Sequence, residues 1–189
     1  MHSPSSRVVT RLGAFTALSV VADLMPLPRA FWGMKLDLVG SVWVFSYLVY
    51  GLETAGLTSL LSFFIMSFYG PAGPIGAFMK LAATAPMFLM PWVIQKKLGM
   101  STRSYAVGGA FALVVRVLLA FLLNYYIALP IFFGMSTPEV IRRFFGGSFL
   151  ILFGVIASMN VAQGIIDLAL PWALAFRLRL RKLLLYGMP

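Results

Sequence analysis

The 189 residues are 61% hydrophobic and 11% charged, with 15 Lys and Arg against 5 Asp and Glu. A water-soluble domain carries roughly 45–50% apolar residues, so this composition predicts an integral membrane protein with no room for a separate catalytic or nucleic-acid-binding domain. Cysteine is absent and the one histidine, His2, lies in the polar N-terminal tail, which excludes disulfides and thiolate metal sites and leaves no metal site expected.

In chain order, Pro, Gly and polar punctuation divides the apolar text into six predicted spans, at about 12–27, 38–51, 55–69, 74–94, 104–128 and 146–176. The opening "MHSPSSRVVTRLGAF" has the charge of a signal peptide, but the apolar run behind it ends without a small-residue cleavage site, so a retained first helix is expected. The second and third spans are short and separated by "GLET", which implies tilt or burial inside the bundle. The sixth is longer than a bilayer needs, and its basic end is expected in water. The fold class is therefore an all-α membrane protein, a six-helix bundle forming one domain over 1–189.

The positive-inside rule sets the orientation. With the N-terminus in the cytoplasm, Arg7, Arg11, Lys96, Lys97, Arg103, Arg177, Arg179, Arg181 and Lys182 lie inside, against Arg29, Lys35, Arg142 and Arg143 outside. Both termini are thus expected in the cytoplasm, and the long loops 26–37 and 129–145 outside.

Polar residues within spans are costly and mark candidate sites. Lys80, Arg116, Asn124, Asn160, Gln163 and Asp167 are those residues. The fifth span rises outward and the sixth descends. Asn124 therefore stands about 12 Å outward of Arg116, and Asn160 about 10.5 Å outward of Asp167, at 1.5 Å per residue. Depth-matching predicts an Arg116–Asp167 ion pair, read as glue between helices. Above it, a cluster of Asn124, Asn160 and Gln163 offers donors and acceptors suited to a neutral polar ligand. Trp32, Tyr69, Tyr125, Tyr126, Phe132 and Phe133 fall at the same outer level, as an interfacial aromatic belt would. Their coincidence with the amides favours a planar ligand, with Tyr125 the preferred aromatic contact.

Nucleotide-binding and hydrolytic motifs are missing. "GPAGPIG" is a proline turn rather than a phosphate loop, and no H-E-x-x-H or G-x-S-x-G constellation occurs. Binding or transport is expected, not enzymatic catalysis. In "RLGAFTALSVVAD", small residues at intervals of four, through Gly13, Ala14 and Ala17, form a low strip that suits close helix packing, either within the bundle or against another subunit.

Four segments together resemble the substrate-binding S components of energy-coupling factor (ECF) vitamin transporters, most closely those specific for riboflavin. "MKLDL" at 34–38 is similar to the family's segment after the first outer loop, and "GPIGAFMKLAA" at 73–83 to its fourth-helix entrance. "NYYIALP" at 124–130 is similar to the fifth-helix end, and "MNVAQGII" at 159–166 to the sixth-helix pattern. The resemblance implies a vitamin pocket on the outer face, closed by loop 26–37. It places Asn124 and Asn160 on flavin-contacting asparagines, with Leu36, Asp37, Ala77 and Lys80 as further candidate contacts. Three departures stand out: Gln163 replaces a family lysine, Lys80 stands where asparagine is common, and "GLETAG" lacks a Gly-Pro pair. The implied partners are the lipid bilayer, a transmembrane coupling subunit meeting the Gly13–Ala17 strip, and two cytoplasmic ATPases. Riboflavin is then a transported ligand rather than a cofactor, and the location is the cell membrane. An S component for another vitamin, an ion-coupled carrier using Arg116 and Asp167, and a membrane assembly subunit are the alternatives left open.

Overall fold

The computed structural model describes residues 6–27, 34–70 and 72–178. In this structure the chain forms a bundle of helices: α1 (Ser6–Leu24), α2 (Val39–Tyr50), α3 (Leu52–Tyr69), α4 (Gly73–Thr84), α5 (Pro86–Leu98), α6 (Thr102–Leu123), α7 (Leu129–Phe133), α8 (Thr137–Phe144) and α9 (Phe149–Trp172). A π turn, Asn124–Ala128, joins α6 to α7, and a second, Ala173–Arg177, follows α9. Four stretches are long and apolar enough to cross a bilayer: Leu52–Tyr69, Gly73–Leu98, Thr102–Phe133 and Phe149–Arg177. The 12-residue α2 is shorter, and α1, which carries Arg7, Arg11 and Asp23, falls outside that set.

The shortness of α2 follows from its place at the centre. All its residues except Phe45 and Tyr50 are buried, and Val39, Trp43 and Val44 are fully enclosed. Continuous apolar text with a flat hydrophobic pattern is what a helix covered on every side requires. Its bulky buried polar groups are satisfied: the Trp43 indole N–H donates to Ser19 Oγ at 3.1 Å and to Ser62 Oγ at 3.4 Å, and the Tyr47 hydroxyl donates to Gln95 Oε1. The neighbour α3 meets the centre through Thr54, Ala55, Thr58, Ser59 and Ser62, small side chains that let backbones approach. Its opposite face, with Leu57, Leu60, Leu61 and Phe64, is exposed, as are Phe111, Val114 and Leu118 on α6. An apolar exterior of this extent fits acyl chains rather than water. Gly51, at φ 91°, makes the one-residue turn between α2 and α3, a conformation in which a Cβ would be strained.

Several boundaries differ from the sequence expectation: the first helix begins at Ser6 rather than near 12 and ends at Leu24. The fourth span is divided at Ala85 into α4 and α5, because Pro86 supplies no backbone donor there. The fifth does not stop at Pro130; the helical path continues to Phe133 and ends at Gly134. The loop 129–145 contains α8, which buries Thr137, Val140 and Ile141 against Leu129, Leu152 and Ile156. Its start is fixed by a capping box: Ser136 N–H donates to Glu139 Oε2 at 2.8 Å while the Ser136 side chain serves the Glu139 backbone. The Ser136 hydroxyl and amide hold the Glu139 carboxyl below its ordinary range.

Chain direction sorts the charges. Arg11 stacks 4.5 Å over the Tyr50 ring, and the Tyr47 hydroxyl bonds Gln95, so the start of α1 and the ends of α2 and α5 share one end of the bundle. Asp23, Lys35 and Asp37 meet at the other, where Asp23 and Asp37 pair with Lys80 of α4.

Candidate functional site

At that second end, a cavity of about 190 Å³ opens between the end of α1, the segment preceding α2, the length of α4, the far half of α6 and the middle of α9. Each wall arrives for a local reason. A buried carboxylate and a close backbone approach bind α2 to α9. A Cβ at Gly40 would lie 2.3 Å from Asp167 Oδ2, so only glycine admits this contact. Ser41 Oγ then reaches Asp167 Oδ1 at 3.4 Å. From α6, Arg116 Nη1 donates to Asp167 Oδ2 at 2.8 Å, and Arg116 Nε donates to Asn160 Oδ1 at 3.3 Å.

Gln163 closes the cavity floor. Its Oε1 accepts from the Asp37 N–H at 2.8 Å, and its Nε2 donates to the Asp37 carbonyl at 2.6 Å and to Asp167 Oδ1 at 2.8 Å. A single amide thus pins the entry to α2 onto α9. Lys80 is a strut: it bonds the carboxylates of Asp23 and, at 2.6 Å, Asp37, tying α4 to α1 and to the start of α2. Lys35 adds a second cation 3.3 Å from Asp23 Oδ1, and the Tyr69 hydroxyl donates to Asp23 Oδ2 at 3.2 Å. The three acids Asp23, Asp37 and Asp167 are therefore each matched by a base among Lys35, Lys80 and Arg116. The cavity wall is rich in charge yet locally neutral.

Asn124 differs from these groups. The residue lines the cavity and is 2% exposed; its Nδ2 donates to the Ala120 carbonyl at 2.8 Å, and its shielded Oδ1 has no partner among the described residues. A buried amide oxygen without a donor is costly, about 1–3 kcal/mol, unless something in the cavity supplies one. The π turn that begins at Asn124 shapes the same wall. Around an unbroken α-helix Phe132 would be rotated by about 80° from Asn124; absorbing one residue reduces this to roughly 20°. Asn124, Ala128 and Phe132 accordingly all face the cavity.

Of the residues predicted from sequence, Leu36, Asp37, Ala77, Lys80, Asn124, Asn160 and Gln163 line this one cavity. Arg116 and Asp167 meet as an ion pair, and Arg116 also contributes to the lining. The three amides share the cavity without bonding one another, because Gln163 is occupied by Asp37 and Asn160 by Arg116 and the Ile156 carbonyl. Tyr125 corrects an expectation. It is not among the lining residues but packs on Phe121, Tyr126 and Phe149, since a helical neighbour of Asn124 points about 100° away. Trp32 and the central part of the proposed lid, 28–33, lie outside the described residues. Gly13, Ala14 and Ala17 are exposed, on the face of α1 opposite Phe15, Thr16 and Ser19.

Sequence reading missed Asp23 as a wall residue, although an acid at the end of one span and a lysine in another is a signal for pairing. It also missed Met34, Met66, Met79 and Met159. No spacing announces methionines contributed by separate elements; they give the cavity soft, polarizable sides.

Among solved structures, the fold is similar to that of the S component of a bacterial ECF transporter, described in work on its structure and mechanism. The TM-score is 0.72 at 21% identity, over 93% of this chain and 97% of that one. At this identity the likeness establishes a shared fold. No family model matches the sequence, and no curated protein matches it.

Proposed function

We propose that the chain is the substrate-binding S component of an ECF-type importer and that its cavity takes riboflavin. The observation that carries this reading is that Asn124, whose buried Oδ1 has no partner among the described residues, lines a cavity whose charges neutralise one another. Such a site favours an uncharged ligand with an N–H donor, because a net ionic ligand would have to disrupt pairs already made. The imide edge of a flavin ring has that donor, and Phe132 with the methionine sides suits its flat apolar faces. The shared fold supports the transporter class.

In this reading the cavity end faces outside and both termini face the cytoplasm, as the Lys and Arg distribution favours. The protein captures its vitamin and does no chemistry on it. Uptake is driven by partners: a transmembrane coupling subunit docking on the Gly13–Ala17 face of α1, and two cytoplasmic ATPases. An ion-coupled carrier would need a carboxylate free to exchange its ion, whereas Asp167 already accepts from Arg116, Gln163 and Ser41.

Riboflavin fluorescence, titrated with detergent-purified protein, tests the proposal. Quenching saturating near one flavin per chain is expected, and Asn124→Ala should weaken binding by about tenfold, the effect of losing one buried hydrogen bond. A colourless preparation that leaves riboflavin fluorescence unchanged rejects this ligand.

A further inference from the structure

The wall that presents Asn124 is held by a residue outside both the cavity and the helix that forms it. In the π turn, the Leu129 N–H donates to the Asn124 carbonyl, a step of five residues. In the same register the Tyr125 carbonyl faces residue 130, which is proline and has no N–H to give. The missing donor comes from α8: the hydroxyl of Thr137, 4% exposed, donates to the Tyr125 carbonyl. In the ordinary α register, Pro130 would instead orphan the carbonyl of Tyr126, a residue 70% exposed, while the Tyr125 carbonyl would already accept from the Leu129 N–H and no longer depend on Thr137. Pro130 therefore leaves one carbonyl open in either register, and Thr137 satisfies it in only one.

We infer that Thr137 is a positioning residue that selects the π register and so turns Asn124, Ala128 and Phe132 together toward the ligand. It touches none of the cavity itself. The inference rests on the binding role proposed above for Asn124, and it links the outer cap helix α8 to ligand affinity. The seat of α8 supports the link: Val140 and Ile141 are buried with Leu129, the residue that closes the π turn. Displacing α8 would remove both the hydroxyl and this packing.

The test compares Thr137→Val, which keeps shape and removes the donor, with Thr137→Ser, which keeps the donor. Hydrogen exchange of the 124–133 amides is followed in ligand-free detergent-purified protein, and riboflavin binding in the same samples. Thr137→Val is expected to speed exchange in that segment and weaken riboflavin by about tenfold, while Thr137→Ser stays near the parent in both. Parent-like exchange or parent-like affinity in Thr137→Val overturns the inference, as does a Thr137→Ser variant as impaired as Thr137→Val. If the parent protein binds no riboflavin, the functional proposal falls and the exchange data alone decide whether Thr137 sets the register.

Discussion

Lys80 and Arg116 each carry a positive charge into an apolar bundle, and each is tolerated because its neighbours were placed for it. Removing one side of such a pair is more damaging than removing both, since the survivor is left buried and unmatched. Arg116→Met should lower stability by about 3–5 kcal/mol, and the double substitution Arg116→Met with Asp167→Met should recover a large part of that loss. Thermal unfolding in detergent distinguishes the two; equal losses in the single and double variants would show that the pair is not the relevant unit. Lys80→Met leaves the carboxylates of Asp23 and Asp37 without their shared cation. Its melting temperature should fall well below that of Asn124→Ala, because Lys80 braces three elements and the Asn124 oxygen braces none.

The elements differ in what holds them. Whereas α2 is fixed by enclosure, α8 depends on one capping box and a narrow apolar face. Because the Glu139 carboxyl is held below its ordinary value of 4.5, its contribution to α8 is complete above that pH and disappears as pH falls through the lowered value. Glu139→Gln should therefore reduce stability at neutral pH, and its difference from the parent should shrink as pH falls below the ordinary carboxylate value and through the lowered one. The exposed strip on α1 has another role in the proposed complex. Gly13→Leu with Ala17→Leu should leave riboflavin affinity unchanged and prevent co-purification with the coupling subunit. Loss of riboflavin binding in that variant would place the strip inside the bundle instead.

At the scale of the whole molecule, charge placement and the cavity point the same way. Among the described residues, Arg7, Arg11, Lys96, Lys97, Arg103 and Arg177 gather at the end away from the cavity, Lys35 and Lys80 are paired in its wall, and Arg142 and Arg143 lie on α8. The absence of cysteine makes topology directly measurable. A single cysteine at Arg142 should react with an impermeant maleimide in intact cells, and one at Lys97 only after lysis. The reverse pattern would put the cavity on the cytoplasmic side and end the case for capture from outside.

The amino-acid sequence by itself determined the membrane class, the helical architecture and most of the cavity's polar residues, because hydrophobic run length and intramembrane polarity are local properties. Asn124, Asn160, Gln163, Arg116 and Asp167 were legible in this way: each is an expensive residue in its own segment. Their partners were not. Whether Gln163 meets a ligand or the Asp37 backbone, 126 positions away, depends on how α2 crosses α9 at Gly40. Tyr125 read as a ligand contact because it adjoins Asn124, yet side-chain direction on a helix turned it away. The π turn was hidden for a similar reason. Pro130 reads locally as a stop, and only the hydroxyl of Thr137, brought back by the fold of α8, lets the helix continue past it in the one register that aims Asn124 into the cavity.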